Sequence, residues 1–231
     1  MFARYINLDS RPDRRAHIEK SEAAKALDIQ RFSALHGSLG VLSTRALAEW
    51  YLLRKHNHEI RTLGAIGCSL SHISLWKEFL ASSYETCLIL EDDCDMTSLM
   101  DAVESVQPIH DIAILGWAGN RNDIISHKTL QPWPKSRGFW GSHAYMLTRH
   151  AAELLVFHAL PITMQVDSYI QLIASLYTWK VQVPSNPVKQ RWSRSDVFSL
   201  CLFCDTKLFL VVFIGAISLC SIFLLYVTQQ R

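Results

Sequence analysis

The hydrophobic and polar positions of the chain follow two alternating patterns. Short, continuous apolar runs at residues 87–90 and 112–116 predict buried strands. Apolar residues at steps of three and four predict a helix over residues 64–82. Further strands are predicted over residues 4–8, 29–34, 141–148 and 179–183, and further helices over 13–27, 41–62, 150–158 and 167–177. Because strands alternate with helices, we expect an α/β fold with a mostly parallel sheet flanked by helices.

Residues 208–227 form the longest apolar segment of the chain. These 20 residues carry no charge, and only one glycine and two serines interrupt the run. As a helix it would be about 30 Å long, which matches the thickness of a bilayer core. We expect a transmembrane helix here; the alternative is a fully buried core helix.

The chain therefore divides into four predicted parts. Residues 1–196 form the folded domain, 197–207 a juxtamembrane linker, 208–227 the membrane span and 228–231 a short tail. The first residues contain no apolar signal region, and four basic residues precede the span. By the positive-inside rule we expect a single-pass protein with a C-terminal anchor and a cytosolic domain.

Composition narrows the classes of protein that remain. The chain is 49% hydrophobic and 19% charged, which excludes a disordered protein. Lysine and arginine number 23 against 21 aspartates and glutamates, a net charge of +2. This balance argues against nucleic acid as a partner, because phosphate neutralisation needs a strongly basic surface.

Three carboxylates, Glu91, Asp92 and Asp93, directly follow the buried run at residues 87–90. Adjacent like charges repel one another unless a cation or hydrogen-bond donors neutralise them. Hard oxygen ligands suit Mg²⁺ or Mn²⁺, which also bind the phosphates of nucleotides. On an extended chain Glu91 and Asp93 point the same way and Asp92 the opposite way. The alternative is an acidic surface turn or a helix N-cap.

Two other segments combine polar residues with the start of a helix. Residues 64–72 place small residues and His72 in the first turns of the predicted helix, where an anion is favoured. The alternative is a tightly packed helix with a hydrogen-bonded histidine. Asn7, Arg11 and Arg14 follow the first strand, and they could bind a diphosphate or a uracil edge. The alternative there is a solvated basic turn.

The order of these segments resembles glycosyltransferase family 25, the lipopolysaccharide and procollagen galactosyltransferase-like family. YINLDSRPDRR resembles its opening strand and turn, FSALHG its second strand, and GAIGCSLSHISLW its glycine-cysteine-serine-histidine helix. LILEDD resembles its acidic motif, and WGSHAYMLTRHAAELL, VDSYI and VKQRWSRSD its later segments. The chain departs from the family at Ala65, where a glutamate is common.

The resemblance implies a GT-A-like, Rossmann-type fold, a UDP-sugar donor and a divalent cation such as Mn²⁺. Glu91 and Asp93 would be the metal ligands, with Glu91 also facing the donor. The remaining donor-site residues would be Asn7, Arg11, Arg14, His72, His143 and Gln190, with Tyr145 lining the site and Ser195 closing over it.

The resemblance also implies inverting transfer, in which an acceptor hydroxyl displaces UDP from the sugar. A base must then take the hydroxyl proton. Asp167 is our first candidate for this base and Asp92 the second.

The expected function is transfer of a hexose, galactose or glucose, to a glycan, lipid-linked or protein hydroxyl acceptor. One alternative is a tail-anchored scaffold protein with a degenerate transferase fold. Another is a metal-dependent nucleotidyltransferase, which would use the same carboxylates but transfer the nucleotide.

Overall fold

The computed structural model describes residues 1–37, 62–118 and 140–191. The predicted helix at 41–62 lies outside these residues except for its last position, and so does the span at 208–227. The described helices and strands, in chain order, are β1 Phe2–Asn7, α1 Pro12–Glu19, α2 Glu22–Ala26, β2 Gln30–Ser33, α3 Leu63–Ala81, β3 Thr86–Glu91, a 3-10 turn Met96–Ser98, α4 Leu99–Ser105, β4 Ile112–Ala118, β5 Trp140–Thr148, α5 Arg149–His158, α6 Val166–Leu176 and β6 Val181–Gln182.

The described strands form one sheet in the order β2-β1-β3-β5-β4-β6. Strand β5 runs antiparallel to both of its neighbours, and the other three pairings are parallel. The predicted mostly parallel α/β sheet is therefore confirmed, with one reversed strand. Because β1 and β3 are parallel neighbours, with Ile6 paired to Glu91, their carboxyl ends meet at one edge of the sheet.

Alternate residues of the central strands pack against helices on opposite faces. In β3, Cys87 and Ile89 contact the core formed with α3, α5 and α6. Leu88 and Leu90 contact the second core, formed with α1, α2 and α4. A strand covered on both faces must be apolar at every position, which explains the continuous run at residues 87–90.

Helix α3 is the longest helix among the described residues, and it packs its central aromatic residues into the first core. Its start is fixed by Thr62, whose side-chain oxygen accepts a hydrogen bond from the Ala65 amide at 3.0 Å. Trp76 and Phe79 are fully buried. The predicted helix at 64–82 is thus confirmed to within one residue at each end.

One prediction about the helices was wrong, and one helix was missed. The single helix expected over residues 13–27 is two helices, α1 and α2, which bury Ile18 and Ala24 in the same core. In one continuous helix these two residues would lie about 120° apart around the axis, so the break lets both face the sheet. Helix α4 was not predicted, although Leu99, Ala102 and Val103 carry its apolar spacing.

Within the three described stretches, no helix is both long and apolar enough to span a membrane. Helix α3, at 19 residues, is long enough but is interrupted by polar residues such as Ser71, His72 and Lys77. The predicted membrane span at 208–227 therefore stays a prediction.

Candidate active site

A cleft opens where the carboxyl ends of β1 and β3 meet the first turns of α3. Its volume is about 90 Å³, well below the roughly 300 Å³ of the smallest drug-sized pockets. The cleft therefore suits an ion and its waters, and a larger ligand would extend out of it. Its polar lining residues are Arg14, His36, Cys68, Ser71, His72, Glu91, Asp92 and Asp93.

Two glycines allow α3 to approach the chain that follows β2. A Cβ atom on Gly67 would lie 2.5 Å from the Leu35 carbonyl oxygen, and one on Gly37 would lie 1.8 Å from that of Leu63. Ser71 joins α3 to this segment: its hydroxyl accepts from the Leu35 amide at 2.8 Å and donates to the Gly67 carbonyl at 2.7 Å. The small residues of the 64–72 segment thus have a packing role that brings Cys68 and His72 to the cleft.

Asp92 lies in the turn after β3 and is held by donors from β1 and α1. Its two carboxylate oxygens accept hydrogen bonds from Nδ2 of Asn7 at 2.7 Å and from Nη1 of Arg14 at 2.8 Å. Asp92 and Arg14 are both buried. Burial raises the pKa of Asp92, and the hydrogen bonds from Arg14 and Asn7 oppose that rise.

The side chain of Asn7 is engaged within the protein at both of its polar atoms. Besides Asp92, its Nδ2 donates to the Arg11 carbonyl at 3.1 Å, and its Oδ1 accepts from Nε of Arg31 at 3.0 Å. Asn7 and Arg14 therefore hold the acidic turn, residues 91–93, in place. Their predicted contacts with a donor stay predictions, and Arg14 does line the cleft.

Asp93 is also buried, at 3% exposure, but its surroundings contain fewer donors. Its Oδ2 accepts from Nε2 of Gln190 at 2.7 Å, and its backbone carbonyl accepts from the Arg191 amide at 2.7 Å. Nη1 of Arg14 lies 4.0 Å from Oδ2, beyond hydrogen-bond distance. In the described part of the chain, no group donates a hydrogen bond to Oδ1 of Asp93.

Glu91, the last residue of β3, faces the same cleft from beside α3. Its Oε1 lies 3.5 Å from Nε2 of His72, and the Sγ atom of Cys68 completes a group of three ligand-type atoms within 4.8 Å of one another. Burial raises the pKa of Glu91 to about 8, and the charge of Asp93 adds to the rise. Burial lowers the pKa of His72 to about 3, so its imidazole is neutral.

Asp167 lies in the first turn of α6 and is buried. Its Oδ1 accepts from the Ser168 amide at 2.8 Å, and its Oδ2 accepts from the Gly141 amide at 2.9 Å. Burial is the main cause of the raised pKa values of Cys68 and Glu91, and the charge of Asp167 adds to both. Asp167 is not one of the residues that line the cleft, and its role as the base stays a prediction.

The other predicted site residues fall in different places. His143 is buried between the carbonyl oxygens of Val188 and Gly141, at 2.9 and 3.1 Å from its ring nitrogens. Arg11 forms an exposed pair with Asp13 through contacts of 3.0 and 2.8 Å. Ser195 lies outside the described residues.

Comparison with known protein families tests the family resemblance that the motifs indicate. Residues 3–170 match glycosyltransferase family 25, described as LPS biosynthesis protein. This chain belongs to glycosyltransferase family 25. The match includes the acidic turn, the cysteine and histidine of α3 and Asp167, whereas Gln190 lies beyond it.

Several curated proteins of family 25 are similar to parts of the chain. A glycosyltransferase 25 family member of Aedes aegypti is 34% identical over 97 residues, which are 38% of this chain and 15% of that protein. Mouse procollagen galactosyltransferase 2 is 32% identical over 94 residues, with the same coverage. Procollagen galactosyltransferase 1-B of Xenopus laevis is 30% identical over 190 residues, 73% of this chain and 30% of that protein. The chain thus spans less than a third of the length of these relatives.

Among solved structures, the apo form of mouse xyloside xylosyltransferase 1 is similar at a TM-score of 0.32 and 14% identity. The similarity covers 80% of this chain and 78% of that one.

The sequence did not predict two side-chain contacts at or beside the cleft. It did not place Cys68 beside Glu91, although Cys68 and His72 are four residues apart in one helix, a spacing that puts both side chains on one face. It also missed Arg31, which donates to the side-chain oxygen of Asn7. Arg31 carried no local signal, because a single arginine in a short strand is usually a solvated side chain.

Proposed function

We propose that this chain is a membrane-anchored glycosyltransferase that transfers a hexose from a UDP-sugar to a hydroxyl acceptor. Galactose and glucose are the proposed sugars. The observation that carries the proposal is Asp93, whose carboxylate is buried at the cleft with Oδ1 unpartnered among the described residues. A buried carboxylate oxygen without donors is costly unless a cation neutralises it.

The residues at the cleft fit a divalent cation such as Mn²⁺ or Mg²⁺. Glu91 and Asp93 supply hard carboxylate oxygens, the ligand type that these ions prefer. Gln190 orients one oxygen of Asp93 and leaves the other available. When bound, such a cation offsets the charge of the departing UDP diphosphate. Arg14 carries a second positive charge at the cleft, although Asp92 engages it closely.

The proposed fold is of the GT-A type, with the donor at the carboxyl ends of the parallel strands. In open α/β sheets ligands bind at this edge, and the acidic turn lies there. In this proposal the cleft holds the ion, and the nucleotide and sugar extend from it past the first turns of α3. Gly64 lines this wall without a side chain, so the backbone is open to a ligand.

Asp167 is the proposed base that takes the proton of the acceptor hydroxyl. Its two oxygens each accept one backbone amide, so lone pairs remain for a third partner. Asp92 is the weaker candidate, because Arg14 and Asn7 already hold its two oxygens. We expect Asp167→Asn to lower kcat by about 10²- to 10⁴-fold, the usual contribution of a general base.

A glycan, a lipid-linked sugar or a protein hydroxyl is the proposed acceptor, in line with the lipopolysaccharide and procollagen names within the family. The apolar segment 208–227 is the proposed anchor, which would keep the domain beside lipid-linked acceptors. The basic residues before it favour a cytosolic domain by the positive-inside rule. Deletion of 208–231 should release the protein from carbonate-washed membranes, and retention would contradict the anchor.

The direct test is UDP release by the full chain in detergent. We would incubate it with Mn²⁺ and a panel of nucleotide sugars, each with hydroxylysine-containing, glycan and lipid-linked acceptors. We expect UDP and a glycosylated acceptor, with loss of turnover in EDTA and recovery on adding Mn²⁺. A nucleotidylated product would identify a nucleotidyltransferase, and no turnover with any donor and acceptor would favour the scaffold alternative.

A further inference from the structure

Three fully buried side chains form a continuous chain of contacts behind Glu91. Trp76 and His72 are one turn apart on α3, and Tyr145 projects from β5 between them. The Nε1 atom of Trp76 lies 3.0 Å from the Tyr145 hydroxyl oxygen, and Nδ1 of His72 lies 2.7 Å from the same oxygen. The opposite ring nitrogen of His72 faces Glu91.

The direction of these hydrogen bonds follows from the chemistry of the groups. An indole N–H can only donate, so the Tyr145 oxygen accepts from Trp76. The hydroxyl hydrogen of Tyr145 then needs an acceptor, and Nδ1 of His72 is the acceptor within reach among the described residues. With Nδ1 accepting, that nitrogen carries no hydrogen, so the single ring hydrogen of His72 is on Nε2.

The hydrogen on Nε2 points toward Glu91. Oε1 of Glu91 lies 3.5 Å from Nε2, longer than a hydrogen bond, and Nε2 has no hydrogen-bond partner within the described stretches. A buried N–H without a partner is costly, and hydrogen bonds at an active site often tighten when ligands bind. The arrangement is therefore poised for His72 to donate to Glu91.

The same three atoms of Cys68, His72 and Glu91 are close enough to suggest a metal site instead. A metal on Nε2 would require the ring hydrogen to move to Nδ1. The Tyr145 oxygen would then accept from both Trp76 and His72, and its own hydrogen would be left without an acceptor among the described residues. The hydrogen-bond direction therefore favours a donor at Nε2 over a metal ligand.

We propose that His72 is a positioning residue that donates its Nε2 hydrogen to Glu91, with Trp76 and Tyr145 fixing the tautomer that makes this possible. The bond holds one oxygen of Glu91 toward α3 and leaves the other for the cleft. The role of Glu91 in binding the cation or donor rests on the proposed function. The tautomer of His72 does not, because it follows from the buried contacts alone.

The first test reads the tautomer directly, without activity. Long-range ¹H–¹⁵N spectra of the full chain in detergent, labelled at histidine, should show His72 with a hydrogen on Nε2 and a bare Nδ1. The signal is assigned by its loss in His72→Gln, with the exposed His150→Gln as the matched control. Tyr145→Phe should remove the preference and give a mixture of tautomers. A hydrogen on Nδ1 in the parent protein would overturn the proposal.

The second test distinguishes the role of Nε2 of His72 from that of Nδ1. Glutamine places its amide nitrogen near the position of Nε2, whereas asparagine reaches only the position of Nδ1. We expect His72→Asn to raise the Mn²⁺ concentration for half-maximal activity about 10- to 100-fold, as for other residues that support metal ligands, and His72→Gln to raise it less. Equal effects of the two variants, in folded protein, would overturn the proposal.

A titration with Zn²⁺ checks the competing metal site. We expect no change in the ring signals of His72 when Zn²⁺ is added at stoichiometric concentration. A Zn²⁺-induced shift that disappears in Cys68→Ser would identify a metal site and overturn the donor role. If the chain lacks transferase activity altogether while the tautomer is as expected, the proposed function fails, whereas the hydrogen bonds from Trp76 through Tyr145 to His72 stand.

Discussion

The two neighbouring aspartates of the acidic turn, Asp92 and Asp93, differ in how many hydrogen-bond donors surround their carboxylates. On the Asp92 side, Asn7 and Arg14 supply one short hydrogen bond to each carboxylate oxygen. On the Asp93 side, Gln190 supplies one hydrogen bond, and the second oxygen has no donor among the described residues. Both aspartates are buried, so exposure does not distinguish them.

This difference shows why two adjacent carboxylates can have separate roles. Asp92 is neutralised by groups that belong to the fold, and its ion pair with Arg14 joins β3 to α1. Asp93 keeps an unused oxygen at the cleft, and a cation from solution would satisfy it. Stability is therefore expected to depend on the Asp92 side and activity on the Asp93 side.

The largest expected effect comes from Asp92→Asn. The new NH2 group would face one of the two donors, Asn7 or Arg14, instead of accepting from it, and the negative charge beside the buried Arg14 would be lost. Loss of one partner from a buried pair costs about 3 kcal/mol or more of the free energy of unfolding. Urea unfolding followed by tryptophan fluorescence measures this loss. Asp101→Asn, on an exposed position of α4, is the control, and equal stabilities would contradict the comparison.

Asp93→Asn is expected to have the opposite profile. Loss of a proposed cation ligand should lower turnover more than about 100-fold, beyond the 10- to 100-fold typical of residues that only support a ligand. The free energy of unfolding should stay the same or rise, because repulsion between Glu91 and Asp93 is removed. UDP release at saturating donor and the same urea experiment read both quantities. Full activity in the variant would exclude Asp93 as a ligand.

Gln190→Ala tests the support on the Asp93 side. Its amide holds one oxygen of Asp93 at 2.7 Å, so its loss should raise the Mn²⁺ requirement by about 10- to 100-fold. Unfolding should change little, because the backbone contact of Arg191 with Asp93 remains. The measurement is activity against Mn²⁺ concentration. A variant that loses stability but keeps its Mn²⁺ requirement would make Gln190 a structural residue.

The sequence predicted the parts of this site that depend on local patterns. The apolar run of β3, the spacing of α3 and the carboxylates after β3 are each contained in a few neighbouring residues. The pattern therefore placed Glu91, Asp92 and Asp93 at the end of a buried strand, as the structure has them. The break between α1 and α2 was missed, because packing of Ile18 and Ala24 on the sheet overrides a continuous helix.

The partners of each carboxylate could not be predicted in the same way. Arg14 is 78 positions from Asp92, and Gln190 is 97 positions from Asp93. Such pairs form only when the strands have assembled, and no local rule assigns a given arginine or glutamine to a given aspartate. Glu91 and Asp93 both line the cleft, but their nearest side-chain partners, His72 and Gln190, come from distant parts of the chain.

Arg11→Ala should give the smallest effect, and it tests whether the surface beside Asp92 contributes to donor binding. Arg11 pairs with Asp13 at the surface of the Asp92 side, where salt screens charges. We expect unchanged unfolding, and a donor KM raised at most about fivefold, the equivalent of one exposed ion pair. Arg15→Ala, which removes another exposed pair of α1, is the matched control. Any rise specific to Arg11 should vanish at high salt, whereas a rise of 100-fold would mean that the diphosphate binds on the Asp92 side and that Asp92 and Arg14 have more than a structural role.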